Sequence, residues 1–291
     1  MFQRVAIIGL GLIGGSIGLA LHKAKAAQQI AGYDLAKGVS NQARRIGAID
    51  QPYSALADAV RGADLVILAT PVGAMRFLLQ EIAVSLSPGA VVTDVASTKV
   101  QVISWAEEFL PASVAFVGGH PMTGKELSGV QAADATLFQG RIYCLTPTSR
   151  THSVAITRVS ALIEALGARV RFLEPGEHDG QVAGVSHLPF IASIAMMNTV
   201  GEGAAWSDAS MLAANGFRDI TRLAAGNPEM YRDICLTNSD SITRWLNEYI
   251  VTLSGLRDRI AAHDRSLDET FASAQQMRLA WQALYNFPDE Q

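Results

Sequence analysis

The segment Gly9-Leu10-Gly11-Leu12-Ile13-Gly14 lies between an apolar run, Val5-Ala6-Ile7-Ile8, and a helical pattern that continues through Gly15 to Leu21. A strand, a Gly-x-Gly-x-x-Gly turn and a helix in that order leave the chain few folds. The first glycine permits the tight turn, the second lets backbone approach a pyrophosphate, and the third lets the helix pack closely on the sheet. Amides at the new helix N-terminus then face the diphosphate. A second strand candidate, Gln29 to Tyr33, ends at Asp34, where an acidic residue would bind a ribose 2′-hydroxyl. The expected dinucleotide site is therefore Gly9, Gly11, Leu12, Ile13, Gly14 and Asp34. NAD is expected over NADP, because the Asp34 charge repels a 2′-phosphate; Lys37, Arg44 and Arg45 downstream soften that preference.

Short apolar runs alternate with helical stretches as far as residue 173. The strand candidates are Val5–Ile8, Ile30–Tyr33, Leu65–Ala69, Val91–Val95, Val114–Val117, Ile142–Leu145 and Val170–Phe172, with helices expected at 14–27, 38–46, 73–85, 98–108 and 152–167. Pro52 and Pro88-Gly89 punctuate connections. Such alternation predicts βαβ units and a Rossmann-type, doubly wound, mostly parallel sheet covered on both faces. After Glu174-Pro175-Gly176 only helical spacing remains, so residues 1–173 are expected to form a dinucleotide-binding domain and 174–291 an all-helical substrate and dimerisation domain.

Hydrophobic residues make up 49% of the chain and charged residues 17%, which fits a soluble globular protein rather than a disordered one. The net charge of −4 argues against a nucleic-acid or anionic-membrane surface. Cys144 and Cys235 read as free thiols, with no disulfide or metal spacing. The apolar stretch Val182–Val200 is interrupted by Ser186, His187, Pro189 and Asn198, so no membrane span is expected. The first strand begins too close to Met1 for a secretory leader, and a cytoplasmic location is expected.

Ligands bind beyond the carboxyl ends of strands in such sheets. Three segments fall there: Thr70-Pro71-Val72, expected on the nicotinamide side; Ser97-Thr98-Lys99; and Gly118-Gly119-His120-Pro121. His120 is the acid/base candidate, since imidazole exchanges a proton near neutral pH. Ser97 reads either as a hydrogen-bonding partner of the reacting hydroxyl or as a helix N-cap. His187 reads as a core histidine or as a ligand contact. Arg218 and Arg222 are both candidates for an anionic substrate group, because a guanidinium grips a carboxylate with two parallel bonds. No metal site is expected: Glu177-His178-Asp179 is the one dense cluster of ligand types, and no second histidine stands at helical spacing.

Taken together, the glycine turn, Asp94-Val95-Ala96-Ser97-Thr98-Lys99, Gly119-His120-Pro121-Met122-Thr123-Gly124-Lys125-Glu126-Leu127-Ser128-Gly129, His178-Asp179, Ser186-His187-Leu188-Pro189 and Gly216-Phe217-Arg218-Asp219-Ile220-Thr221-Arg222 resemble the prephenate/arogenate dehydrogenase family of tyrosine biosynthesis. The resemblance spans nearly the whole chain. It implies NAD(P)-dependent oxidative decarboxylation of a cyclohexadienol carboxylate, with His120 accepting the hydroxyl proton and Ser97 beside it. It also implies that His187 lines the substrate pocket, that Arg222 grips the side-chain carboxylate, and that Glu126 sits at the rim. Tyr231 stands where tryptophan is frequent. Lys125 opposes, and Glu126 favours, the ammonium that distinguishes arogenate from prephenate. Prephenate is the expected substrate, with arogenate or dual use as the alternative.

Hydroxyacid dehydrogenases and imine reductases share the two-part layout but more naturally use lysine or substrate protons. A non-catalytic dinucleotide sensor is the reading from another class, and it gives no reason for Ser97, His120, His187 and Arg222 to occur together. Long apolar helices that one nucleotide-binding domain cannot cover predict a homodimer through the helical domain.

Overall fold

Runs such as Leu65-Val66-Ile67-Leu68, buried at every position, need cover on both faces of a sheet, and alternation of strand with helix supplies it. The computed structural model describes residues 1–124 and 127–284. Its strands are β1 (Phe2–Ile8), β2 (Ala27–Tyr33), β3 (Gln51–Tyr53), β4 (Leu65–Leu68), β5 (Val91–Asp94), β6 (Ala115–Pro121), β7 (Ile142–Thr146) and β8 (Arg169–Phe172). They form one sheet ordered β3-β2-β1-β4-β5-β6-β7-β8, parallel except where β6 meets β7. Within this part of the chain lie helices α1 (Leu12–Lys23), α2 (Val39–Arg45), α3 (Leu56–Val60), α4 (Val72–Ile82), α5 (Val100–Phe109) and α6 (Ser153–Ala165).

Alternate residues of β1 feed two cores on opposite faces of the sheet. Val5 and Ile7 join Ile17 and Leu21 of α1 and Val159 and Leu162 of α6; Ala6 and Ile8 join Met75 and Leu79 of α4 and Val102 of α5. The strand order reverses between β1 and β4, which opens the crevice above the glycine turn. Gly9 adopts φ +91, and a Cβ there would lie 2.5 Å from the Ala69 carbonyl oxygen. A Cβ on Gly14 would fall 1.9 Å from the Gly9 oxygen, so helix and turn meet only because both residues are glycine.

Two expectations are corrected. Helix α1 starts at Leu12 and stops at Lys23 rather than running from 14 to 27. Lys25 takes φ 50, its N–H bonds the His22 carbonyl, and Ala26 N–H bonds that of Leu21, a Schellman stop. Pro52 lies inside β3 rather than in a connection; as an edge strand, β3 tolerates a residue without an N–H.

Beyond β8 the described residues are helical: α7 (Pro175–Val182), a π-turn (Ala183–His187), α8 (Leu188–Gly201), α9 (Trp206–Leu212), α10 (Asn215–Thr221), a 3₁₀ turn (Arg222–Ala225), α11 (Pro228–Thr237), α12 (Ser239–Ala261) and α13 (Leu267–Leu284). The continuous run Pro175–Gly201 has the length and apolarity to cross a membrane by composition alone, yet His178, Asp179 and His187 are buried along it with partners inside the protein. The chain divides into two compact units, Met1–Ile242 and Thr243–Gln291. In the second, Ile250, Val251 and Leu253 of α12 and Phe271, Met277 and Leu279 of α13 are exposed.

Candidate active site

Among the described residues, no side chain caps the start of α1, and nothing lies within 4 Å of where a Gly11 Cβ would project. Uncapped amides below open space suit a diphosphate. Leu12 and Ile13 begin the helix half-buried. Asp34 follows β2 and turns its carboxylate back to the turn, accepting Leu10 N–H and Ala36 N–H, each at 2.8 Å. Both oxygens keep a further lone pair for ribose hydroxyls. Thr70 and Pro71 leave β4 half-buried and exposed, whereas the Val72 side chain enters the core. These residues fit a dinucleotide.

His120 closes the carboxyl end of β6, paired with Cys144 of β7. Its Nδ1 lies 2.9 Å from Nε2 of His178, and the two rings meet edge-on. His178 Nδ1 lies 2.8 Å from the Asp179 carboxylate. Asp179 in turn accepts the backbone N–H of Lys99 at 2.8 Å and of Val100 at 2.9 Å. Ser97, half-buried, is thus not the N-cap of α5; a carboxylate from α7 caps that helix instead. Asp179 thus accepts from two amides at a helix N-terminus. A carboxylate only accepts, so His178 carries its proton on Nδ1 and offers the Nε2 lone pair to His120. His120 then donates from Nδ1 and keeps Nε2 as an acceptor.

Beneath this chain sits a buried ion pair. The Lys99 ammonium bonds Asp94, the last residue of β5, and the Gly119 carbonyl at 2.6 Å, while Asp94 accepts Gly119 N–H at 3.0 Å and Ala96 N–H at 2.9 Å. The network ties β5 to the backbone that carries His120. Burial lowers the Lys99 pKa, with Asp94 opposing. Burial, then His178, Lys99 and His187, hold the His120 pKa well below the usual histidine value, so its neutral form dominates.

His178 and His187 are nine residues apart, which on a regular α-helix sets them about 180° from one another. The π-turn, where Leu188 N–H bonds the Ala183 carbonyl, absorbs one residue and reduces that angle to about 80°. One helical run can then present both histidines to one pocket. Asn238 donates to the Asp179 carbonyl at 2.8 Å and to His187 Nδ1 at 3.3 Å, and Thr98 and Thr237 share a 2.9 Å hydrogen bond.

Phe190, one turn beyond His187, stacks on Tyr231 with centroids 4.0 Å apart and planes 4° from parallel. The Tyr231 hydroxyl donates to the Leu223 carbonyl at 2.9 Å, in the 3₁₀ turn that begins with Arg222. Burial raises the Tyr231 pKa while the Arg222 charge pulls it down. Arg218 is exposed and pairs with Asp219 at 3.2 Å. Lys125 and Glu126, expected at the rim, lie outside the described residues. Sequence reasoning singled out Asp94 to Lys99 and His178-Asp179 as motifs but missed the buried pairing of Lys99 with Asp94, the joint role of His178 and Asp179, and Asn238 altogether.

Two family models match the chain: prephenate dehydrogenase, nucleotide-binding domain, over residues 17–172, and prephenate dehydrogenase, dimerization domain, over residues 174–273. Prephenate dehydrogenase of Bacillus subtilis is 36% identical over 281 residues, covering 96% of this chain and 76% of that protein. Cyclohexadienyl dehydrogenase of Zymomonas mobilis is 35% identical over 283 residues, covering 96% of both. The crystal structure of Aquifex aeolicus prephenate dehydrogenase with hydroxyphenyl propionate and NAD+ is similar at a TM-score of 0.90 and 30% identity, over 96% of this chain and 98% of that one.

Proposed function

The chain belongs to the prephenate dehydrogenase family, and from that premise we propose that it catalyses the NAD-dependent oxidative decarboxylation of prephenate to 4-hydroxyphenylpyruvate. The observation that carries the reading is the neutral His120, held at the end of β6 with its Nε2 lone pair as the remaining acceptor. Nε2 takes the hydroxyl proton of the substrate as the carbinol becomes a carbonyl. When bound, NAD supplies the hydride acceptor; the glycine turn, Asp34, Thr70 and Pro71 hold it. Aromatisation of the ring drives loss of the carboxylate, so the protein chiefly positions the reactants. Ser97 orients the hydroxyl, His187 donates Nε2–H to a substrate oxygen, and Arg222 grips the side-chain carboxylate.

Dual use of arogenate is the second reading, favoured by the 35% identity to a cyclohexadienyl dehydrogenase. The proposal assigns 1–173 to cofactor binding and 174–291 to substrate binding and homodimerisation. Exposed apolar side chains on α12 and α13, such as Ile250 and Phe271, are what a second copy would cover. A cytoplasmic location is part of the reading, in keeping with two free cysteines. Nicotinamide absorbance followed with prephenate or arogenate and NAD or NADP tests the whole; no turnover of either substrate would refute it.

A further inference from the structure

We propose that His178 is a second station for the substrate proton: as Nε2 of His120 accepts it, the proton on Nδ1 of His120 passes to Nε2 of His178. This inference rests on the proposed dehydrogenase activity. The step balances. The substrate O–H bond breaks and an N–H bond forms at His120 Nε2; the His120 Nδ1–H bond breaks and an N–H bond forms at His178 Nε2. The hydride leaves with its electron pair for NAD+, and the ring–carboxylate bond gives its pair to the ring as carbon dioxide departs. His120 ends neutral as the other tautomer, and the positive charge rests on His178 against the Asp179 carboxylate.

The geometry supplies the path. The two ring nitrogens are 2.9 Å apart, and the next link to Asp179 is 2.8 Å. Asp179 cannot drift, because both of its oxygens are pinned to the amides of Lys99 and Val100. The charges around the pair favour the deeper position. Burial is the largest effect against a His120 cation, followed by His178, the Lys99 ammonium, which is itself paired with Asp94, and His187. His178 has a carboxylate at hydrogen-bond distance and is itself wholly buried. From α5 it is met through the amides that Asp179 caps, and from the π-turn by His187, which is neutral near pH 7. A proton left on His120 would sit in a buried site beside the Lys99 cation; moved one ring inward, it meets the Asp179 carboxylate.

His178→Gln separates a relay from a scaffold. The glutamine amide oxygen can take the place of Nε2 and accept His120 Nδ1–H, so it preserves the tautomer, but it cannot take a proton. The readouts are the single-turnover rate of nicotinamide reduction, its pH profile, and KM. The relay predicts a loss of at least about tenfold in rate with KM within about threefold. It also predicts an acidic limb displaced to lower pH, because the coupled pair is replaced by His120 alone, a base held low by burial and Lys99. A His178→Gln rate within about threefold of wild type overturns the relay and leaves the activity standing. A lost rate with an unmoved limb marks a structural role and overturns it as well. Wild-type enzyme that fails to turn over refutes the proposed function itself. Should His178→Gln not fold, Asp179→Asn carries the same expectation, since it removes the charge that holds the relayed proton.

Discussion

Asn238 donates its side-chain amide to Nδ1 of His187 at 3.3 Å and to the Asp179 carbonyl at 2.8 Å. A carbonyl only accepts, so the NH₂ group must face it, and the same group then meets His187. His187 is thereby fixed with its proton on Nε2, and among the described residues that buried N–H has no partner. Burial, with Asp179 opposing and His178 reinforcing, pushes its pKa down to about 4. The pocket thus gains a neutral donor that adds no charge beside His120.

Asn238→Asp should invert this arrangement. A carboxylate can neither donate to His187 nor sit comfortably against the Asp179 carbonyl. KM should rise about tenfold with kcat nearly unchanged, and stability should fall by roughly 1 to 3 kcal/mol as the buried acceptor loses its donor. Steady-state kinetics and urea unfolding check both effects. An unchanged KM would mean that Asn238 does not set the His187 tautomer.

Acid should weaken the fold in a defined window. The His187 value is about 4 in the native protein against 6.5 as a free side chain, so between those pH values the unfolded chain binds a proton that the native chain refuses. Stability then rises with pH across the window. It is fully present above pH 6.5 and is lost as pH falls toward 4, by about 3 kcal/mol for this group. His120, also held low, acts in the same direction. In His187→Gln the unfolding free energy should decline less between pH 7 and 4.5; parallel declines in the two proteins would remove His187 as the cause.

The glycine turn ahead of α1, the places of Asp34 and His120 at strand ends, and the alternation of strand with helix were legible because each rests on local chemistry: a close approach, a strand end, an alternating pattern. The His120–His178–Asp179 chain was not, because it joins β6 to α7 across 58 residues, and no spacing rule reports contacts between separate elements. Asp179 capping α5 is the same kind of fact; the local rule points to Ser97, and a carboxylate 80 residues away wins. The π-turn is hidden for another reason. Its sequence, Ala-Gly-Val-Ser-His, carries no signal that one extra residue will enter the turn. Lys99 read as part of a strand-end segment leading into the helix at 98–108, and only the fold shows why its ammonium lies wholly buried on Asp94 and Gly119.

His120→Asn should lower kcat by about a hundredfold to ten-thousandfold while KM changes little, because proton removal counts mainly in the transition state. The acidic limb of the kcat profile should vanish with it. Turnover near the wild-type level would take His120 out of the mechanism.

Asp34→Asn should erode the preference for NAD. The amide can still accept from one of the two backbone N–H groups, Leu10 or Ala36, but the charge that repels a 2′-phosphate is gone. The ratio of kcat/KM for NAD to that for NADP should fall at least about tenfold. If it does not move, discrimination lies with Lys37 and its neighbours.

Arg222 and Arg218 are four residues apart and both exposed, but their neighbours differ. Arg218 is exposed and already paired with Asp219, so Arg218→Ala should change KM by no more than about twofold. Arg222 opens the 3₁₀ turn that Tyr231 pins through Leu223, and Tyr231 stacks on Phe190 in the helix that carries His187. That stack joins the elements bearing the two proposed substrate contacts. Arg222→Ala should leave a substrate carboxylate without its cation and cost roughly 2 to 5 kcal/mol of binding, at least about a thirtyfold rise in KM, with a smaller effect on kcat. Tyr231→Phe keeps the stack and removes only the bond to Leu223, so its KM should rise a few-fold, the effect of about 1 kcal/mol. The expected order of KM is therefore Arg222→Ala above Tyr231→Phe above Arg218→Ala. A large effect confined to Arg218→Ala would show that the other arginine grips the carboxylate, and a Tyr231→Phe enzyme indistinguishable from wild type would show that the turn holds Arg222 without it.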